Sequence, residues 1–256
     1  MVKLVVGGGG MTKIISHRGA FKYAPQNTIP AFLKAFKIGA NGIEFDVQMT
    51  KDSELVICHD YTINETSNGK GKIKDFTLDE LKNFDFGIKH SPEFKNTRIP
   101  TLKEVLEIAS KFEIINIEIK SQAERNEEIV RKVIDCVKAN DFTGDVVYSS
   151  FDFEVLKTIQ KLDDTLKIGA LFTTADFSRE NKAMKNIEKV KANSFQAIHP
   201  NARFLRRQYV EECHKNNIMV NCWGANSVKK IGKMLDAGCD LIITDEVERV
   251  IQITQS

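Results

Sequence analysis

The strongest constraint on the fold is a regular alternation between short apolar runs, rich in Ile and Val, and longer segments with helical periodicity. Such alternation is typical of βα units that build a parallel sheet. Eight strands are predicted, over residues 12–16, 42–48, 114–120, 145–150, 167–172, 196–199, 218–223 and 240–244. Helical patterns lie near residues 27–39, 101–112, 124–140, 153–162, 176–192, 203–216 and 227–237. Together they predict an α/β fold, a (β/α)8 TIM barrel, whose functional groups lie at the carboxyl ends of the strands.

Length and composition fit one compact domain. The chain has 256 residues, of which 42% are hydrophobic, and this suits a single α/β domain with a sizeable core. Residues 1–10 are a short apolar stretch and four glycines ahead of a second methionine, and we interpret them as a leader outside the domain. The predicted folded unit is therefore residues 11–256.

One segment departs from the alternation of strands and helices. After the strand-like run that ends at His59, residues 60–99 contain neither a clear strand nor a long helix. A connection of this length is more often functional than filler, and we predict an insertion beside the mouth of the barrel. Its phenylalanines either line an apolar groove or form a small core of their own: Phe76, Phe84, Phe86 and Phe94.

The charge balance argues against two classes of partner. Lysine and arginine total 37 against 35 acidic residues, so a net charge of +2 offers no long-range attraction for nucleic acid or an anionic membrane surface. No apolar run approaches the ~18 residues of a transmembrane segment. The five cysteines are scattered without a C-x-x-C pair, and no secretory signal is recognisable, so we expect reduced thiols in a cytoplasmic protein.

Acidic residues at the ends of two predicted strands are candidate metal ligands. Glu44 and Asp46 lie two residues apart between apolar neighbours, so both side chains point to one face of the strand. The same spacing recurs at Glu118 and Lys120, which either join that cluster or form a plain ion pair lining the barrel. Oxygen ligands suit a hard divalent cation, Mg²⁺ or Ca²⁺, whereas structural zinc would call for cysteine or paired histidine.

Four further side chains indicate an organophosphate substrate and a means of cleaving it. Arg18 and Lys120 add fixed positive charge, which together with a dication is complementary to phosphate. His17 and His59 each follow a strand-like run. Cleavage of a phosphodiester needs one group to take a proton from the nucleophile and another to protonate the leaving alkoxide, and two histidines can divide that work.

Taken in order, these residues resemble the glycerophosphodiester phosphodiesterases over nearly the whole chain. The motifs that carry the resemblance are His17-Arg18-Gly19, Gln26-Asn27-Thr28, Gly42-Ile43-Glu44-Phe45-Asp46-Val47, Thr50-Lys51-Asp52, His59-Asp60, Arg98-Ile99-Pro100-Thr101-Leu102, Ile117-Glu118-Ile119-Lys120, Trp223 and Ile242-Ile243-Thr244-Asp245. Three departures from the family pattern bear on substrate identity: Gln26 where Glu is usual, Ser53 where a turn glycine is common, and Gly224-Ala225-Asn226 in place of Thr-Val-Asn.

The resemblance implies a TIM barrel with an insertion after the second strand, and an enzyme of lipid and glycerol metabolism acting on small glycerophosphodiesters. The implied roles are a divalent cation on Glu44, Asp46 and Glu118, catalysis by His17 and His59, and phosphate binding by Arg18 and Lys120. The products would be glycerol 3-phosphate and an alcohol. We expect the neighbouring glycerol hydroxyl to attack first and water to open the resulting cyclic phosphate, because that hydroxyl is held at high effective concentration. His17 is assigned as the base and His59 as the acid.

Other residues have competing interpretations. Asn27 is predicted to N-cap the helix that follows it, in preference to a catalytic role. Trp223 either packs over the glycerol moiety or belongs to the core or rim of the barrel. His90 and His199 are expected to be solvent-exposed or packed in the core.

Two alternative functions stay open at this point. One is a phospholipase D-like enzyme on lysophospholipids, which would need an apolar groove for the acyl chain. The other is a phosphate-ligand binding protein without turnover, although paired histidines argue against it. The predicted partner is a small molecule in every case, and the sequence carries no signal for an oligomeric state.

Overall fold

A computed structural model describes residues 11–140 and 142–255 and contains a closed barrel of eight parallel strands. The strands within those residues are β1 (Lys13–His17), β2 (Gly42–Met49), β3 (Leu55–Ile57), β4 (Ile114–Ile119), β5 (Asp145–Ser150), β6 (Lys167–Leu171), β7 (Ala197–His199), β8 (Met219–Trp223) and β9 (Leu241–Thr244). All but β3 form the barrel, which closes where β9 and β2 both pair with β1. The predicted TIM barrel is confirmed, and every predicted barrel strand matches an observed one to within one residue at each end.

Most of the described helices surround the barrel and pack against the outer faces of its strands, and one short helix lies in the insertion. Those described are α1 (Ile29–Ile38), α2 (Leu78–Lys82), α3 (Leu102–Ala109), α4 (Asn126–Lys138), α5 (Phe153–Leu162), α6 (Glu180–Ala192), α7 (Arg207–Lys215), α8 (Val228–Ala237) and α9 (Val247–Gln255). Seven of them correspond to the predicted helical patterns. The sequence analysis missed α9, which buries Val247 and Val250 in the main core.

The first helix begins one residue later than the predicted cap. Thr28, not Asn27, is the N-cap residue of α1, and Pro30 lies in the first turn, where its missing N–H leaves no unmet hydrogen bond. Asn27 has a left-handed backbone with a φ of 56°. The prediction that Asn27 caps the helix is therefore wrong, and its side chain is free for another role.

The inside of the barrel is layered. Apolar side chains fill its lower part: Ile15, Ile114, Val147, Leu241 and Ile243. Above them lies a buried polar layer, in which Asn116 Nδ2 donates to Ser149 Oγ at 3.0 Å and Asn221 Nδ2 lies 2.9 Å from His199 Nε2. Burial lowers the pKa of His199 to about 3, so this imidazole is neutral and belongs to the packing, as expected.

The insertion after the second barrel strand has a core of its own. It starts with β3, which pairs antiparallel to β2. Its apolar cluster consists of Val56, Cys58, Ile63, Ile73, Leu81, Phe86 and Ile99, with Phe76, Leu78 and Phe84 packed against it. The rings of Phe76 and Phe84 meet edge to face at 5.5 Å, and half-buried Phe94 contacts the ring of His90. Phe76, Phe84 and Phe86 belong to the core of the insertion and Phe94 packs against His90, so the small core is favoured over a groove for an acyl chain.

Two further expectations from the sequence concern the leader and membrane-spanning helices. The proposed leader, residues 1–10, lies outside the described residues. In the part of the chain that the structure describes, none of the helices has the length and apolar character needed to cross a membrane.

The tight packing of β2 against its neighbours predicts a loss of stability on Gly42→Ala. A Cβ at this position would lie 2.2 Å from the carbonyl oxygen of Ile114 and 2.8 Å from Ile15 Cδ1. Relief of that overlap requires the strands to separate, and we expect a loss of ~1–3 kcal/mol in the free energy of unfolding, measured by urea denaturation.

Gly232→Ala is the matched control for this prediction. A Cβ at Gly232, in α8, meets none of the described atoms within 4 Å. Alanine favours a helix over glycine, so this variant should gain ~0.5–1 kcal/mol. Equal stability of Gly42→Ala and the wild type would contradict the packing argument.

Candidate active site

The three predicted carboxylate ligands lie together at the carboxyl end of the barrel. Glu44 and Asp46 point inward from β2, and the parallel register sets Asp46 directly opposite Glu118 on β4. One oxygen from each carboxylate lies within 4.8 Å of the others, and all three side chains are buried. These three residues are the one group among the described residues that is arranged to share a metal ion.

Lys120 balances part of this charge. Its Nζ lies 2.8 Å from Asp46 Oδ1 and 2.5 Å from Glu118 Oε1, so the ammonium bridges two of the carboxylates. The ion pair between Glu118 and Lys120 that the sequence left as an alternative therefore exists, as part of the larger cluster. Two carboxylates that share an ammonium in this way are close enough to share another cation.

The charges around the cluster leave it short of positive charge. Burial alone would raise the pKa of Asp46, but the charges of Lys120, His59 and Arg18 outweigh it and hold this pKa well below its usual value. Burial and the charge of Asp46 raise the pKa of Glu118 to about 7 and raise that of Glu44 strongly. A buried all-oxygen cluster that must otherwise take up protons fits a hard divalent cation.

Arg18 contacts two members of the cluster, Glu44 through its backbone and Asp46 through its side chain. Its backbone N–H donates to Glu44 Oε2 at 3.0 Å, and its Nε lies 3.6 Å from Asp46 Oδ2. Its Nη1 donates to Gln26 Oε1 at 2.8 Å, so one of the three departures from the family pattern contacts a proposed phosphate ligand. Because Gln26 is neutral, this contact orients the guanidinium without neutralising its charge.

His17 ends β1 and is oriented by an acidic residue from the far end of the chain. Its Nδ1 donates to Asp245 Oδ1 at 2.6 Å, which leaves Nε2 facing Glu44 Oε2 at 4.0 Å. Asp245 is itself held by Asn226, whose Nδ2 donates to Oδ2 and whose Oδ1 accepts from the Asp245 backbone N–H at 3.1 Å.

His59 follows β3 and has a comparable support. Its Nδ1 donates to Asp60 Oδ1 at 2.7 Å. The amide of buried Gln48 donates to the carbonyl oxygens of Cys58 and Asp60, both at 2.7 Å, and thereby ties this loop to β2. Burial lowers the pKa of His59, and the charges of Lys120 and Arg18 add to that effect against the opposing charge of Asp46.

Trp223 forms part of the wall beside the site. Its indole N–H lies 3.3 Å from the carbonyl oxygen of Phe172 and 3.2 Å from that of His199, which fixes the ring. Its ring meets that of Phe151 edge to face at 6.1 Å. The structure thus gives Trp223 a packing role at the rim, and contact with a glycerol moiety stays a prediction.

Three supporting residues received no such role in the sequence analysis. Asn27 Nδ2 donates to Asp46 Oδ2 at 2.8 Å, Asp245 holds His17, and Gln48 anchors the loop of His59. The sequence did contain a signal that Asn27 is not the helix cap. Pro30 favours the first turn of a helix, which fits a cap at Thr28 and leaves the Asn27 side chain available for another contact. Asp245 was also recognisable, because it directly follows the last apolar run, and His17 likewise lies at the end of an apolar run.

Comparison with known proteins gives a consistent result. The model of the Glycerophosphoryl diester phosphodiesterase family matches residues 17–249. A glycerophosphodiester phosphodiesterase of Caldanaerobacter subterraneus subsp. tengcongensis is 40% identical over 245 residues, covering 95% of this chain and 98% of that protein. An Oleispira antarctica phosphodiesterase solved with the product sn-glycerol-3-phosphate has a TM-score of 0.88 and 24% identity, covering 96% and 98% of the two chains. A glycerophosphodiester phosphodiesterase of Thermotoga maritima has a TM-score of 0.75 and 30% identity, covering 96% and 99%.

The raised pKa of Glu118 predicts an unusual pH dependence of the metal-free protein. An acid whose pKa is higher in the folded than in the unfolded state binds more protons when folded, so stability falls as pH rises between the two values. For Glu118 this window runs from the ordinary value of 4.5 to about 7. We expect the free energy of unfolding, measured in the presence of a chelator, to decline over this range.

The comparison protein for this measurement is Glu118→Gln, which has no acid at that position. As pH rises, the free energy of unfolding of the wild type should fall relative to that of the variant. A constant difference from pH 4.5 to 7 would contradict the prediction.

Proposed function

This chain belongs to the glycerophosphoryl diester phosphodiesterase family and is an enzyme of that class, and on that premise we propose a reaction that uses one divalent cation and two histidines. The observation that carries the proposal is the convergence of the buried carboxylates Glu44, Asp46 and Glu118 beside His17 and His59, each imidazole held by an acceptor. The relative from Oleispira antarctica holds sn-glycerol-3-phosphate, which supports glycerol 3-phosphate as the product here.

The carboxylates would hold Mg²⁺ or Ca²⁺. When bound, such an ion neutralises charge on the phosphate and stabilises the charge that develops during the reaction. Arg18 and Lys120 would supply fixed positive charge around the same phosphate. The neutral contact between Arg18 and Gln26 leaves the guanidinium charge available for that purpose.

The histidines would move the protons. With its Nδ1–H donated to Asp245, His17 has a lone pair on Nε2 that can accept the proton of the glycerol hydroxyl as this oxygen attacks phosphorus. His59 lines a large cavity beside Lys120, the space for the alcohol, and in its protonated form would donate a proton to the departing alcohol oxygen. Water then opens the cyclic phosphate with the two roles exchanged, so that both imidazoles return to their starting states.

Support for the two alternative functions is weaker. A lysophospholipase D-like activity requires a site for an acyl chain, and the phenylalanines that suggested one are packed within the insertion. A binding protein without turnover does not agree with membership of an enzyme family that covers nearly the whole chain.

Replacement of either proposed catalytic histidine should abolish most of the activity. We expect His17→Ala and His59→Ala each to lower kcat for a glycerophosphodiester by ~100-fold or more, because proton transfer then depends on water. His90→Ala, in the insertion, is the control and should keep its activity. Near-full turnover by either catalytic variant, with an unchanged circular dichroism spectrum, would refute the assignment.

Removal of divalent ions should also stop the reaction. We expect dialysis against EDTA to remove activity and Mg²⁺ or Ca²⁺ to restore it, because the carboxylate cluster otherwise takes up protons in place of the ion. The measurement is the rate of release of glycerol 3-phosphate before and after each addition, with the released phosphate ester detected enzymatically. An unchanged rate after exhaustive chelation would rule out the metal.

A further inference from the structure

A cavity of about 410 Å³ adjoins the proposed metal and phosphate site on the side of His59. Its walls come from two separate loops. The start of the insertion contributes Asp60 and Tyr61, and the loop after β5 contributes Phe151 and Asp152. Glu118 and Lys120 form the end next to the proposed phosphate site, so one ester arm of a diester bound there would point into the cavity.

The fixed charges of this cavity are predominantly negative. Asp60 and Asp152 line it, and Glu118 lies at one end; the cation Lys120 is already paired with Asp46 and Glu118, and His59 contacts Asp60. A negatively charged wall favours a cation beyond the phosphate over a neutral or anionic group.

Asp152 keeps its charge through contacts on both oxygens. Its Oδ1 accepts from the backbone N–H of Glu154 at 2.9 Å, and its Oδ2 accepts from Ser121 Oγ at 2.6 Å. Burial would raise the pKa of Asp152, but these hydrogen bonds and one from Asn126 outweigh it and lower this pKa. The carboxylate is therefore ionised and fixed in place at neutral pH.

Two aromatic rings of the cavity are unusually exposed. Tyr61 is 52% exposed and Phe151 is 43% exposed, although most other large hydrophobic side chains of the barrel are buried. Aromatic faces and carboxylates together are the groups that recognise an ammonium, and in particular a quaternary ammonium, whose methyl groups cannot donate strong hydrogen bonds.

We propose that this cavity binds the alcohol portion of the substrate and selects amino alcohols with a cationic nitrogen, such as choline or ethanolamine, over neutral polyols. The inference rests on the proposed function, since it takes the phosphate to lie at Arg18, Lys120 and the carboxylates. Tyr61, Phe151 and Asp152 are then specificity-determining residues, and none of them takes part in proton transfer.

The first test compares kcat/KM of the wild type for glycerophosphocholine and for glycerophosphoglycerol, which differ in the charge of the alcohol. We expect a preference of about tenfold or more for the choline ester, the combined effect of a cation–π contact and a nearby carboxylate. Hydrolysis of both at equal rates would overturn this inference and leave the proposed function standing. Hydrolysis of neither would overturn the proposed function and this inference with it.

Variants of the cavity wall separate its two contributions. Phe151→Leu should lower the ratio of the two kcat/KM values about fivefold through loss of the aromatic face. Asp152→Asn should lower it about threefold, because asparagine can still cap α5 but carries no charge. Phe36→Leu, an exposed ring on α1, and Asp145→Asn, at the opposite end of β5, are the matched controls and should leave the ratio unchanged.

A binding measurement tests the cavity without turnover. Choline and its uncharged carbon isostere neohexanol have the same shape, and both can be tested as competitive inhibitors. We expect choline to inhibit at least about fivefold more strongly, with the difference reduced in Phe151→Leu. Equal inhibition by the two compounds would overturn the proposal. So would an equal reduction of the difference between them in Phe36→Leu.

Discussion

The register of β2 against its neighbours is the constraint on which the active site depends. It sets Asp46 opposite Glu118 and Glu44 opposite His17, so that these four residues of the proposed site come together. A slip of one residue would turn the carboxylates outward and bring the buried outer residues, Phe45 among them, to the inside. Burial of the apolar outer face against the helices thus holds the charged inner face in place.

The same arrangement would tie stability to the proposed ion binding. Three buried carboxylates are unfavourable unless compensated, and Lys120 compensates only part of their charge. The strongly raised pKa of Glu44 reflects this deficit in the free protein. An ion bound as we propose would relieve repulsion already present in the fold, so the raised pKa values of the carboxylates and the affinity for the ion would have one origin.

Sequence pattern was a reliable guide wherever hydrophobic periodicity was strong. Eight strands and the polar residues at their ends follow directly from apolar runs, and Glu44, Asp46 and Glu118 meet because alternation and strand order are regular. The supporting contacts are not local in sequence: the hydrogen bond from His17 to Asp245 joins residues 228 positions apart. Irregular segments have no hydrophobic periodicity, so the packing of the insertion could not be predicted from the sequence.

Catalysis and selection come from different parts of the molecule. The proposed ion ligands Glu44, Asp46 and Glu118 lie on strands whose register is held by the whole barrel, whereas Tyr61 and Phe151 lie on loops at the mouth. A change in a loop side chain alters the shape and charge of the cavity without moving the carboxylates. Gln26, one of the departures from the family pattern, likewise lies in a loop and accepts a hydrogen bond from the Arg18 guanidinium. Changes in these loops can therefore alter substrate preference without displacing the carboxylates of the proposed ion site.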